Sequence, residues 1–268
     1  MKSLSVSESQ WFEDIEFWEH FAPVMFDEIH WAEVSDVIEA VTRLCGFNSY
    51  GETSQEAWKK PLEEVPKVLD LCCGLGRTSS EFARMGFAVT GVDITESFLE
   101  TAKEDALHEK LNIEYIQSDA RKFVRPDYFD LIVNLYISFG YFEEKKDDLL
   151  VLKNVYQSLK KDGLFIIETL GKEVAVKNFV EDEWFERSGY TVLTEYTPVD
   201  SWTFLKNRWI LLKDDKRIEK TFTQRLYSAS ELRDLLFEAG FKKTEIYGDW
   251  DDSPYDHNAN KLIAVCRK

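Results

Sequence analysis

The sequence is short of the residues that build metal centres, disulfide frameworks and membrane spans. Its four histidines and four cysteines are scattered over 268 residues. Cys45, Cys72, Cys73 and Cys266 follow no disulfide spacing and no Cys-x-x-Cys pattern, so they read as small buried thiols of a reducing compartment. His20 and His30 do not stand at ligand spacing on one helix and no His/Asp cluster accompanies them, so no metal is expected. No apolar run is long enough to cross a bilayer, and residues 1–10 lack the apolar core of a signal peptide, which makes the cytoplasm the expected location. Cations are outnumbered, with Lys+Arg 33 against Asp+Glu 50 and a net charge of −17. Such a polyanion repels phosphate backbones and anionic membranes, so neither nucleic acid nor membrane is an expected partner.

What the chain does have is apolar and aromatic surface, at 44% and 14% of residues, ample for one full core with a small appended subdomain. The densest information lies in residues 66–93. Val68 to Leu71 form an apolar strand ending beside Asp70, Gly74 and Gly76 make a sharp turn, a helix follows, and Ala88 to Val92 form a second strand before Asp93. This order builds a nucleotide pocket, with the acid placed to meet a ribose. A dinucleotide fingerprint needs a third glycine, where this chain has Ser79, and a pyrophosphate would be repelled by Asp70. S-adenosylmethionine carries a sulfonium and an ammonium instead, which a carboxylate attracts.

On these residues the chain resembles the class I S-adenosylmethionine-dependent methyltransferases of the small-molecule type. Asp70-Leu-Cys-Cys-Gly74-Leu-Gly76 is similar to their first motif, and Asp93 to their ribose-binding acid. Gln117-Ser-Asp119-Ala120 resembles the end of the third strand. Phe129-Asp-Leu-Ile-Val-Asn134 resembles the fourth strand, and residues 159–167 resemble a helix end, turn and fifth strand. The likeness covers roughly residues 65–170 and resumes at 228–267. It implies an α/β, Rossmann-like, doubly wound seven-stranded sheet with an antiparallel last strand. It also implies that Asp70 and Gly74 hold the methionine end, that Gly76 is a further cofactor-binding residue, that Asp93 and Ile94 meet ribose and adenine, and that Asp119 and Ala120 meet the adenine edge. Asn134 and Leu135 then line the sulfonium side.

Around that frame the chain divides into an N-terminal helical lid at 1–64 and a cofactor-binding domain at 65–268. Residues 10–46 read as two helices with Pro23 between them, and 47–64 as a loop. Thr95 is a cap for the helix after Asp93, a further helix over 147–159 ends with Gly163 in C′ position, and Ser230 caps a helix that Gly240 stops. Residues 190–196, 202–212 and 217–226 alternate as strands around an Asp214-Asp215 turn, an inserted antiparallel meander within about 171–227. In the resembled family such inserts roof the substrate or join subunits, so these strands are a candidate homodimer contact.

The acceptor side is less legible. Tyr136 and Tyr141 follow the fourth strand, Trp18 and Phe21 share a stripe of the proposed lid, and His257 sits at the tip of the last hairpin. Tyr136 and His257 are candidate catalytic groups; Trp18, Phe21 and Tyr141 are candidate acceptor contacts. His108 reads as surface. No Asn-Pro-Pro-Tyr motif is present, which together with the net charge favours a small molecule over a macromolecule. The expectation is therefore methyl transfer from S-adenosylmethionine to N or O of a small-molecule acceptor. The inserted meander resembles that of sugar-amine and glycine-type N-methylators and tilts the choice towards nitrogen. The alternatives are an RNA or protein methyltransferase, or a cofactor-binding regulatory module without catalysis.

Overall fold

A computed structural model describes residues 10–47 and 65–268. The predicted loop at 47–64 therefore lies, apart from Phe47, outside the described residues, as does nearly all of the segment read for a signal peptide. Before the sheet come a 3₁₀ turn at Trp11–Glu13 and three helices: α1 (Ile15–Met25), α2 (Glu28–Ala32) and α3 (Val34–Leu44). Pro23 does not separate helices as expected. It lies in the last turn of α1, where the carbonyl its ring leaves unpaired belongs to the exposed Glu19. The break falls at Asp27, whose side chain accepts the His30 N–H at 3.0 Å and caps α2.

The sheet then forms from β1 (Lys67–Leu71), β2 (Ala88–Asp93), β3 (Ile113–Gln117), β4 (Phe129–Asn134), β5 (Leu159–Thr169), β10 (Lys243–Tyr247) and β11 (Leu262–Arg267), in the order β10-β11-β5-β4-β1-β2-β3. β1 to β5 pair in parallel, while β11 runs antiparallel to both β5 and β10. The central strands are nearly all apolar because helices cover both faces. On one side pack α6 (Lys145–Ser158) and α8 (Ala229–Ala239); on the other lie α3 and α4 (Arg77–Arg84). α5 (Glu96–His108) leans on β3 through Leu99, Ala102 and Ala106.

Two helix ends differ from expectation. Gly163 is no C′ residue: α6 stops at Ser158 because Leu159 is already extended and pairs with Phe129. Gly163 then sits in a bulge of β5, beside Asp162 at φ 64°. Ser228, not Ser230, caps α8. It accepts the Glu231 N–H at 3.2 Å, and the Glu231 carboxylate accepts the Ser228 N–H at 2.8 Å.

Between α7 (Lys172–Lys177) and α8 stands a second sheet, β6 (Asp182–Arg187), β7 (Tyr190–Val199), β8 (Phe204–Lys213) and β9 (Lys216–Arg225), fully antiparallel in sequence order. β6 escapes a reading by alternation because its residues Asp-Glu-Trp-Phe-Glu-Arg are mostly charged and mostly exposed, as suits an edge strand. Phe17, Phe21 and Val24 of α1 pack with Val192 and Leu211 of this sheet, so the N-terminal helices and the second sheet share one small core.

Candidate active site

The ends of β1 and β2 are tied together by the turn between β1 and α4. The N–H groups of Cys72 and Cys73 both donate to the Val92 carbonyl, at 2.7 and 3.0 Å. The Gly74 N–H donates to Asp93 Oδ2 at 2.8 Å, and the Thr95 N–H to Asp93 Oδ1 at 2.9 Å. Thr95 thus opens α5 as expected, but through its backbone: its hydroxyl makes no capping bond. Burial raises the Asp93 carboxyl above its ordinary range, against these two donors. Gly76, at φ 75°, serves packing: a Cβ there would stand 2.4 Å from the Tyr115 hydroxyl and 2.8 Å from Ala102. It does not line the cavity, whereas Gly74 does.

Asp70 is 2% exposed and accepts hydroxyl hydrogen bonds from Thr78 and Ser79, each at 2.6 Å. Burial pushes its carboxyl up, and these two hydroxyls oppose the shift. Ser79 is therefore more than the absence of a third glycine. Thr78 escaped notice altogether, although two hydroxyl residues in the first turn of a helix behind a strand-end acid are a usable signal.

A cavity of about 600 Å³ opens over the carboxyl ends of β1, β2, β4 and β5. Asp70, Gly74, Asp93, Ile94, Asp119, Ala120, Asn134 and Leu135 all line it. Asp119 is held at both oxygens: the Arg121 N–H donates to Oδ1 at 2.8 Å, and its guanidinium reaches Oδ1 at 3.0 Å and Oδ2 at 2.6 Å. Burial works against the Asp119 charge, but Arg121 outweighs it and keeps the carboxyl below its usual range. Asn134 donates to the Leu71 carbonyl at 3.0 Å, and its buried Oδ1 has no partner. A buried orphan acceptor and three carboxylates suit a cationic nucleoside better than a pyrophosphate. Among the described residues no group of three or more His, Cys, Asp and Glu is arranged to hold a metal.

The far end of the cavity is aromatic. Trp18, Tyr136 and Tyr141 line it, together with Trp11, Trp209 and Phe222, which the sequence did not single out. Trp11 lies 4.7 Å from Tyr141 and 4.9 Å from Phe222 between ring centroids, so residues far apart in the chain close one wall. The Tyr136 hydroxyl is buried without a partner, and burial raises its pKa. Phe21 is not at the cavity: it is fully buried between α1 and the second sheet, because the apolar stripe of α1 turns Trp18 towards the cavity and Phe21 away from it. His257 is exposed and lies outside the cavity lining, as do the exposed His20 and His108. His30 does line it, with Nδ1 2.5 Å from Asp27 Oδ1.

Residues 136–142, the wall facing the second sheet, are held by β9. Gln224 donates to the Phe139 carbonyl at 3.0 Å and the Arg225 N–H to the Gly140 carbonyl at 2.6 Å. Gly140, at φ 84°, has no room for a Cβ, which would meet the Arg225 carbonyl oxygen at 2.4 Å. Behind it, the fully buried Asp148 accepts from the Tyr227 hydroxyl at 2.7 Å and lies 3.5 Å from Arg225 Nε. Burial pushes the Asp148 carboxyl up to about 7, against the Tyr227 hydrogen bond and the Arg225 charge.

Residues 68–163 match the model of a family described as a methyltransferase domain. The chain is 25% identical over 240 residues to the glycine/sarcosine N-methyltransferase of Aphanothece halophytica, over 88% of this chain and 89% of that protein. It resembles the crystal structure of an S-adenosylmethionine-dependent methyltransferase from Clostridium acetobutylicum with a TM-score of 0.70 at 15% identity, over 94% of this chain and 97% of that one. The S-adenosylmethionine-bound amino pentose methyltransferase CalS10 from Micromonospora echinaspora matches with a TM-score of 0.57 at 16% identity, over 87% and 97% of the two chains. The structural likenesses carry the fold, and the domain match carries the chemistry. Residues 68–163 are a methyltransferase domain, the fold is that of the class I S-adenosylmethionine-dependent methyltransferases, and the chain is an enzyme that uses S-adenosylmethionine as its cofactor.

Proposed function

We propose that this enzyme methylates a nitrogen or oxygen of a small-molecule acceptor. The observation that carries the reading is one cavity lined both by Asp70, Asp93 and Asp119 and by Trp11, Trp18, Tyr141 and Phe222. A space of about 600 Å³ accommodates a nucleoside and a small acceptor. The net charge of −17 further disfavours RNA.

Bound S-adenosylmethionine supplies an already activated methyl group on a sulfonium. In our assignment Asp93 binds the ribose hydroxyls, with Ile94 beside the adenine. Asp119, fixed by Arg121, and Ala120 meet the adenine edge. Asp70 and Gly74 hold the methionine end, and Asn134 and Leu135 flank the sulfonium. The remaining task is to align the acceptor and exclude water, which the aromatic wall does. Trp18 and Tyr141 are acceptor contacts in this reading. Tyr136, kept protonated by burial, orients the acceptor and is no base at neutral pH. A nitrogen acceptor that arrives deprotonated needs no base, and both the N-methyltransferase of Aphanothece and the amino pentose methyltransferase CalS10 fit that choice. A hydroxyl acceptor draws on one observation: His30 lines the cavity with its Nδ1 against Asp27 Oδ1.

We further assign the N-terminal segment through residue 64 as a lid, residues 171–227 as an insert that roofs the acceptor, and the inserted strands as a homodimer contact. A screen of amines, phenols and carboxylates, read by S-adenosylhomocysteine formation, tests the function. Turnover of a small amine or phenol is expected. Turnover of RNA or protein alone would overturn the reading.

A further inference from the structure

We propose that Arg77 is a subsite for a carboxylate carried by the methyl acceptor, so that the acceptor is a small carboxylic acid. This rests on the reading of the cavity as a methyl-transfer site. Arg77 is the first residue of α4, lines the cavity and is only 5% exposed. Buried arginines are nearly always paired with an anion. This one has none: no carboxylate among the described residues comes within ion-pair distance of it. Among the described residues its one side-chain hydrogen bond goes to the neutral His30 carbonyl, and its guanidinium carbon stacks 3.7 Å from the centroid of the Tyr136 ring. Burial accordingly pulls its pKa down, as for a cation short of compensation.

The nearby acids are committed elsewhere. Glu168 accepts the Tyr136 N–H at 2.6 Å and lies 3.4 Å from Lys261 Nζ. Asp70 takes the two hydroxyls of Thr78 and Ser79. Glu33 lines the cavity but forms no ion pair with Arg77. The guanidinium fork therefore keeps free N–H donors in a dry site, an arrangement that matches a carboxylate in two parallel hydrogen bonds. The acids around it leave room for a monoanion and repel a dianion such as a phosphate.

Position favours the acceptor over the donor. Arg77 stacks on Tyr136, the residue placed on the acceptor side after β4, and the groups whose charge reaches it are Tyr136, Glu33, Asp70 and Glu168. The cofactor's own carboxylate has the same chemistry, so the test must separate the two sources. Calorimetry on the full chain saturated with S-adenosylhomocysteine would titrate glycine, sarcosine and 4-hydroxybenzoate, each against its primary amide. At least one acid is expected to bind about tenfold more tightly than its amide, a preference that Arg77→Met removes and Arg77→Lys keeps in part. In both variants the affinity for S-adenosylhomocysteine should stay within about threefold of wild type. A wild type that prefers no acid over its amide overturns the proposal without any variant. Loss of about tenfold in S-adenosylhomocysteine affinity on Arg77→Met, with the acid preference intact, overturns it by moving Arg77 to the cofactor. A wild type that binds no S-adenosylhomocysteine overturns the underlying reading as well.

Discussion

The two ends of the cavity are built in opposite ways. At the proposed donor end, Asp70, Gly74, Asp93, Asp119 and Asn134 come from the ends of four strands in the parallel part of one sheet, and backbone hydrogen bonds from Cys72, Cys73 and Gly74 lock the first two strands together. At the acceptor end, the 3₁₀ turn, α1, residues 136–142 and strands β8 and β9 meet from distant parts of the chain. In our assignment the donor is held by a local, repeatable frame, whereas the acceptor is held by side chains that long-range packing brings together.

Substitutions at both ends test that contrast. The largest effect is expected within the acceptor half itself. Phe21 packs and Trp18 lines, although both face inward on α1. Phe21→Ala should cost about 3–5 kcal/mol of stability by leaving a cavity in a full core, seen as a fall in thermal midpoint, while Trp18→Ala should chiefly weaken the acceptor. Equal effects on both readouts would erase the distinction.

Next in size is Asp148, behind the acceptor wall. Its folded carboxyl titrates at about 7 against an ordinary 3.8, so the folded state holds a proton that the unfolded state has lost between those values. Stability from this group therefore falls as pH rises from about 4 to about 7, by a few kcal/mol at most. Asp148→Asn should flatten that fall in a series of denaturation curves. An unchanged pH dependence would mean that Asp148 does not carry it.

A smaller effect is expected at the donor end. Thr78→Val combined with Ser79→Ala removes both hydroxyls from buried Asp70 and should weaken S-adenosylmethionine binding by about 1–3 kcal/mol. It should weaken S-adenosylhomocysteine less, because the product lacks the sulfonium charge. Equal losses for the two ligands would argue against an electrostatic role for Asp70. The smallest effect is expected at His257: His257→Ala should leave cofactor affinity and turnover unchanged, since the residue is exposed and away from the cavity.

The same contrast explains what could be read in advance. The strand order, the turn at Gly74 and Gly76 and the acids of the donor end are written in short runs of contiguous residues, each interpretable through local chemistry. Trp11, Phe222, Trp209 and Arg77 could not be identified that way: an aromatic on an alternating strand looks the same whether it faces a core or a cavity, and an arginine after a glycine turn reveals its missing partner only once the fold has placed every acid around it. Phe21 packs instead of lining the cavity for the same reason, since helical spacing defines a stripe but not where the stripe divides between packing and lining. His257 was named from its position at a hairpin tip, and the fold points that tip to solvent.

The claim that the Asp93 end of this cavity holds the nucleoside is tested most directly by titrating S-adenosylhomocysteine into wild-type protein and into Asp93→Ala. A single site in the wild type is expected, weakened by about 1–3 kcal/mol in the variant because ribose hydroxyls lose their acceptor in a buried site. Equal affinity in the two proteins would contradict the assignment.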